Sequence, residues 1–192
     1  IKLYRGETVL IEKLTINELN QLCIEKEIPY AIPLLQELLD LIDMHHIGLN
    51  IELKGNNVAK QVFHLLQLYS QQVRDKVIIS SFSDQQLFLY RELDAAIDMA
   101  ILREGQDIDL KTEEAWQRLQ ATIHKLKPVS ISIANQDKKG TLLQEHTVQQ
   151  LRDLRHDPNM RVGVYTVNSK ERLEELYGYG CSYFFSDKRV VL

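Results

Sequence analysis

Apolar residues fall along this chain in two alternating patterns: short continuous runs, and longer stripes at helical spacing. Thr15 and Glu18 form a capping box that opens a short helix to about Cys23. Ile32-Pro33 opens a second helix, because proline suits a first turn. Leu34, Leu35, Leu38, Leu39, Leu41 and Ile42 form its broad apolar stripe. The runs Gly48–Lys54, Val77–Phe82, Ala96–Leu102, Val129–Ala134, Arg161–Val167 and Cys181–Ser186 read as six buried strands. Helices are expected between them, over Val58–Tyr69, from a Ser83/Gln86 cap to about Glu92, and over Glu113–Leu126, Thr147–Arg155 and Lys170–Tyr177. Trp116, Leu119, Ile123 and Leu126 share one face of the third of these, which places Trp116 in the core. Residues 1–12 are mixed, with a turn expected at Arg5-Gly6-Glu7.

Continuous apolar strands separated by helices indicate parallel βαβ units covered on both faces. Six such units fit either an open doubly wound sheet or part of a (β/α)8 barrel. In both, chemistry gathers at the C-terminal ends of the strands. The segment Asn50-Ile51-Glu52-Leu53-Lys54 lies at such an end. Leu49, Ile51 and Leu53 share one face at period two, and Glu52 and Lys54 share the other. A carboxylate and an ammonium are expensive to bury without partners. The pair therefore either coordinates something or forms an ordinary salt bridge.

At 192 residues the chain can bury a substantial single core, and nothing in it demands two domains. Its formal net charge of −4 carries no electrostatic footprint for nucleic acid or an anionic membrane. The longest apolar runs fall far short of the ~20 residues needed to span a bilayer. Cys23 and Cys181 lack any CxxC spacing and read as buried or half-buried thiols. That usage favours a reducing compartment, hence the cytoplasm, while a first residue of Ile1 leaves room for a targeting segment upstream.

The strand-end residues resemble those of the glycerophosphodiester phosphodiesterase family. Ile32-Pro33-Leu34-Leu35-Gln36-Glu37-Leu38-Leu39 is similar to that family's Ile-Pro-Thr-Leu-Glu-Glu-Val-Leu, and Asn50–Lys54 to its Asn-Ile-Glu-Ile/Leu-Lys strand. Ile79–Phe82 matches a Ser-Ser-Phe strand, and Tyr165-Thr166-Val167-Asn168 matches Trp-Thr-Val-Asn. Gly180 to Asp187 is similar to the closing Gly-Val-Asp-Gly-Ile-Ile-Thr-Asp. Leu3, Arg5, Gly6, Val9, Leu14-Thr15 and Glu18-Leu19 resemble the small insertion that follows the family's second strand. The resemblance implies a (β/α)8 barrel of which this chain supplies strands three to eight. It implies one domain over 1–192, with 1–31 as the insertion region and 32–192 as barrel units.

Equally informative are the family motifs that do not occur: His-Arg-Gly on strand one, Glu-x-Asp on strand two and the His-Asp after it. These supply both catalytic histidines and two of three metal-binding carboxylates. A full barrel of this class runs to about 250 residues, so a shortfall of roughly 60 corresponds to two βα units. The resemblance makes Glu52 the third carboxylate on a divalent cation, Mg²⁺ or Ca²⁺. It makes Lys54 a point charge for the phosphate, and Phe82 and Tyr165 substrate contacts or packing beneath the mouth. Tyr165 replaces the family's Trp, and Ser186-Asp187-Lys188-Arg189 replaces Thr-Asp-x-Pro.

The histidines of this chain do not fill the vacant roles. His45-His46 and His156-Asp157 precede strands, on the stability face of a barrel. His64 and His124 fall on helices, and His146 starts one. Asn168-Ser169 is expected to cap the next helix, and Lys138-Lys139-Gly140 to be a solvated loop. The implied activity of the intact protein is metal-dependent hydrolysis of glycerophosphodiesters to sn-glycerol 3-phosphate and an alcohol. The 192 residues alone are expected to be inactive, with an N-terminal segment or a second copy completing the barrel. The alternatives are a non-catalytic remnant acting as a binding module, and a phospholipase D-like toxin of the same barrel type. The Ser-Ser-Phe and Tyr-Thr-Val-Asn segments sit better with the glycerophosphodiesterase pattern.

Overall fold

The computed structural model describes residues 13–27, 32–45, 47–55, 57–105, 110–138 and 140–188. The expected Arg5-Gly6-Glu7 turn, most of the insertion region's opening, His46, Lys139 and Arg189 lie outside the described residues. The chain divides into two compact units, Ile1–Ile47 and Gly48–Leu192.

In the first unit, Thr15 caps helix α1 (Ile16–Glu25) with the expected box: the Glu18 amide donates to Thr15 Oγ1, and the Thr15 amide donates to Glu18 Oε2 at 2.7 Å. The Thr15 amide and hydroxyl, both donating to Glu18 Oε2, hold that carboxyl below the usual carboxylate range. Leu19 and Cys23, one turn apart, are buried. Helix α2 (Leu35–His45) begins just after Pro33, with the Leu34 amide donating to Glu37 Oε2 at 2.7 Å. Leu39 and Ile42 are its buried residues.

The second unit is a parallel α/β half-barrel. Its strands β1 (Leu49–Glu52), β2 (Val77–Ser81), β3 (Asp98–Arg103), β4 (Ser130–Ala134), β5 (Arg161–Tyr165) and β6 (Tyr183–Phe184) form one six-stranded sheet in chain order. Every neighbouring pair is parallel. Sequential order settles the choice left by periodicity: a doubly wound sheet reverses direction at a switch point, whereas a barrel adds each strand beside the last. The helices are α3 (Val58–Leu66), α4 (Gln71–Arg74), α5 (Asp84–Leu93), α6 (Glu113–Leu126), α7 (Glu145–Asp153) and α8 (Lys170–Gly178).

Register sorts the strand residues onto two faces. Ile51, Leu53, Ile79, Met99, Ile101, Ile131, Ile133, Val162 and Val164 are buried on the helix-facing side. The opposite side carries Asn50, Glu52, Ser80, Ala100, Ser130, Ser132 and Gly163 at alternate positions. Barrel interiors are usually filled by bulky branched side chains; here Ile78, Leu102 and Tyr183 share the inward face with these small or polar residues. Asn50 Oδ1, Glu52 Oε1 and the hydroxyls of Ser80, Ser130 and Ser132 are buried with no hydrogen-bond partner among the described residues. At Gly163 the space is already occupied: a Cβ would collide with Ser132 Oγ and stand 3.1 Å from the Tyr183 ring.

Several boundaries differ from expectation for identifiable reasons. Strand β3 starts at Asp98 because Asp94 Oδ1 accepts from the amides of Ala96 (2.9 Å) and Ile97 (3.1 Å), folding the two residues into a turn. Ser83 caps α5 as expected, but Gln86 does not reach back to complete a box. Its side chain is buried and its Oε1 accepts from the Ala59 amide at 3.2 Å, capping α3 instead. Helix α4 forms where Ser70 caps the Val73 amide, a signal the apolar pattern does not carry. Strand β6 is short because the Cys181 amide is drawn to the Leu176 carbonyl at the end of α8. Trp116 is half-buried rather than core, while Leu119, Ile123 and Leu126 are fully buried. Both cysteines are free and buried, and burial pushes the Cys181 thiol up to about 11.

One charged pair locks the helix layer to the sheet. Arg103, at the end of β3, is buried on the helix side, and its Nη2 donates to both oxygens of Asp84 at 2.9 and 3.0 Å. Thr122 Oγ1 on α6 donates to the same carboxylate at 3.1 Å. Removing Asp84 strands a buried guanidinium. Asp84→Ala is expected to lower stability by about 3 kcal/mol in urea titration, and Arg103→Met in the same chain to recover most of the loss. An unchanged midpoint for Asp84→Ala would contradict this account of the pair.

Candidate active site

Because all strands point one way, their C-terminal ends share one rim. There the half-barrel opens into a cavity of about 580 Å³ lined by Asn50, Glu52, Lys54, Phe82, Tyr165 and Phe185, with Leu53, Ser81 and Leu102 among the remainder. Glu52, Lys54, Phe82 and Tyr165, singled out on the sequence, are thus brought together.

The polar side of the cavity comes from β1. Lys54 Nζ stands 3.1 Å from Glu52 Oε2, with the lysine side chain 77% exposed and the glutamate 27%. An ion pair this open contributes little to stability. Glu52 Oε1 is buried and unpartnered, so half of the carboxylate remains available to a cation or donor. The strand end is held in place by Ser81, whose Oγ donates to the Leu53 carbonyl at 2.9 Å and accepts from the Ser83 amide at 3.0 Å. The Ser-Ser-Phe segment therefore has a structural job: its second serine fixes the Glu52–Lys54 strand end and the start of α5.

The opposite side is aromatic. Phe82 and Tyr165 meet edge to face with centroids 6.0 Å apart, and Tyr165 meets Phe185 likewise at 6.4 Å. Tyr165 Oη donates to the backbone carbonyl of Arg103, so the ring is tied from β5 to β3 across the end of β4. With its hydroxyl engaged, the residue presents carbon to the cavity. A tryptophan at this position could not make that phenolic tie. Phe82 is 42% exposed, consistent with a cavity wall rather than a core residue.

The loops behind this wall are sewn together by Arg172 on α8. Its Nε donates to Asn135 Oδ1 at 2.7 Å and its Nη2 to the Leu143 carbonyl at 2.7 Å, while Nη1 pairs with Glu175 at 2.6 Å. Asn168 Oδ1 accepts from Ser186 Oγ (3.1 Å) and the Asp187 amide (3.0 Å), joining the ends of β5 and β6. Ser169, not Asn168, caps α8. Lys138 is not merely solvated: it pairs with Glu104 at 2.7 Å across the rim. Arg103, Arg172 and Phe185 escape a sequence reading. The period-two spacing of Tyr183 and Phe185 was the available signal for the last of these.

Among the described residues no histidine lines the cavity. His45, His64, His124, His146 and His156 are all exposed, His146 with its Nε2 3.2 Å from Thr147 Oγ1. No group of three or more His, Cys, Asp or Glu that could hold a metal ion occurs among the described residues. Glu52 Oε1 nonetheless fits a hard divalent cation, as an anionic oxygen that is buried and has no donor. Nor is any helix among the described residues long and apolar enough to cross a membrane.

Comparison with known proteins fits this geometry. No curated protein matches the chain. Among solved structures, an Oleispira antarctica phosphodiesterase in complex with its product sn-glycerol-3-phosphate superposes with a TM-score of 0.69 at 20% identity, covering 93% of this chain and 69% of its own. A candidate glycerophosphodiester phosphodiesterase from Galdieria sulphuraria gives 0.70 at 18%, covering 95% and 70%. The glycerophosphodiester phosphodiesterase of Agrobacterium tumefaciens gives 0.56 at 16%, covering 82% and 59%. At these identities the likeness establishes the fold. The sequence profile of the glycerophosphoryl diester phosphodiesterase family matches residues 5–190, and the chain belongs to that family.

Proposed function

We propose that the intact protein hydrolyses glycerophosphodiesters to sn-glycerol 3-phosphate and an alcohol, with a divalent cation, Mg²⁺ or Ca²⁺, held at Glu52. The observation that carries this reading is the half-engaged carboxylate. Glu52 gives one oxygen to Lys54 and leaves the other buried and unpartnered in a cavity at the strand ends of a glycerophosphodiesterase-family fold. A cation there would neutralise a phosphodiester and lower the pKa of a bound hydroxyl. Lys54, on its exposed tether, meets a phosphate oxygen as a point charge and can leave Glu52 Oε2 at little cost. Phe82, Tyr165 and Phe185 shield the glycerol carbons from water on the opposite side.

General acid and base must reach this cavity from residues other than the described histidines. The six strands correspond, in this reading, to strands three to eight of the barrel, with two further βα units closing the arc between β6 and β1. Three observations support that. Among the described residues β1 and β6 end the sheet, Asn50 Oδ1, Glu52 Oε1 and the Ser80, Ser130 and Ser132 hydroxyls on its inward face lack partners, and the chain spans 59–70% of the length of the relatives named above. The closing units would bring two histidines, each typically worth about 10²–10⁴-fold, and come from the same polypeptide or from a second copy. The absence of a cavity histidine among the described residues also favours a second reading, a binding module without turnover.

Release of sn-glycerol 3-phosphate from glycerophosphodiesters separates the two. Full-length protein is expected to turn over, and EDTA to abolish turnover. Glu52→Gln should lower kcat/KM by at least about 10²-fold. Saturable binding of sn-glycerol 3-phosphate without any turnover would establish the binding module instead. The 192-residue chain, purified alone, is expected to show no turnover, and metal-dependent hydrolysis by it would overturn the assignment of acid and base to the closing units.

A further inference from the structure

Asn50 stands two residues before Glu52 on β1, so both side chains leave the strand on its inward face. Both line the mouth cavity. Asn50 Oδ1 shares the condition of Glu52 Oε1: each is buried, and neither has a hydrogen-bond partner. A carboxylate oxygen and a carboxamide oxygen can only accept. Two buried acceptors on one face therefore call for a shared positive partner, because leaving both unmet is costly.

Of the neighbouring donors, two are committed, and the third, the unpartnered Ser80 hydroxyl opposite Glu52 in register, has one hydrogen for two acceptors. Ser81 Oγ donates to the Leu53 carbonyl, and Lys54 Nζ sits on the other oxygen of Glu52 with its chain turned to solvent. Amide and carboxylate oxygens are both ordinary ligands of hard divalent cations. Alternate residues of one strand stand roughly 6.6 Å apart, a span that a short and a longer side chain close when they converge on a single ion.

We propose that Asn50 is a second oxygen ligand of the cation held at Glu52, its Oδ1 coordinating beside Glu52 Oε1. This rests on the cation reading above and adds to it a neutral donor, which tunes affinity through its lack of charge. Exchanging the amide for a carboxylate should therefore tighten binding, the reverse of what loss of a structural amide would do.

Mn²⁺ titrated into full-length protein, with free ion followed by electron paramagnetic resonance, tests this directly. Asn50→Leu is expected to weaken Mn²⁺ binding about tenfold, and the isosteric Asn50→Asp to tighten it by about as much. Glu52→Gln should weaken binding at least as far as Asn50→Leu. If Asn50→Leu fails to fold, as a metal-free melt would show, the sign of the Asn50→Asp change decides. Unchanged or weaker binding by Asn50→Asp, with Glu52→Gln still impaired, overturns the Asn50 assignment and leaves the cation at Glu52 standing. Wild-type binding by Glu52→Gln, or no saturable binding by the wild type, overturns both.

Discussion

All six strands of the half-barrel run in the same direction, and most of the chemistry described above follows from that constraint. Parallel neighbours need a crossover helix each, so helices collect on one face and demand Ile, Val and Met there. The other face is released from that demand, and at it the chain places Asn50, three serines and Gly163. Parallelism also gathers every C-terminal strand end at one rim. Glu52, Phe82, Tyr165 and Phe185, up to 133 positions apart in the chain, become lining of one cavity for that reason alone.

The rim is fixed by hydrogen bonds that cross between βα repeats as well as by its aromatic contacts. Ser81 ties β1 to β2, Tyr165 ties β5 to β3, and Arg172 ties α8 to the loop after β4. Arg103 serves twice, through its guanidinium to α5 and through its carbonyl to the Tyr165 hydroxyl. The aromatic wall is thereby referenced to the helix layer. On the polar side, by contrast, Asn50 Oδ1 and Glu52 Oε1 lack partners. A rigid apolar wall opposite a set of unmet acceptors suits a ligand with a charged, cation-bound end and a carbon end.

Much of the fold is legible in the sequence because its determinants are local. Continuous apolar runs mark the six strands, and Thr15, Ser83 and Ser169 announce helix starts by caps that the structure retains. Expectation and structure part where a side chain is claimed from a distance. Gln86 is drawn from its own helix to the Ala59 amide, and Asp94 turns two residues that pattern alone assigns to β3. At the site, the Glu52–Lys54 pair is legible because its two members lie on one strand face. Arg103 and Arg172 are not, since the partners that tie them to other elements are 19 to 37 residues away and no periodicity reports them. Tyr165 is legible as an aromatic at a strand end, but the bond of its hydroxyl to residue 103 is visible only in three dimensions.

The central claim is that the unpartnered oxygen of Glu52 is where a divalent cation and a glycerophosphate meet this fold. A crystal structure of the full-length protein grown with Mn²⁺ and sn-glycerol 3-phosphate, with anomalous data at the manganese edge, tests it most directly. The account predicts one strong anomalous peak at about 2.0–2.4 Å from Glu52 Oε1, with the glycerophosphate between that ion and the Phe82–Tyr165–Phe185 wall. A peak elsewhere, or a glycerophosphate bound with no ion at Glu52, would contradict it.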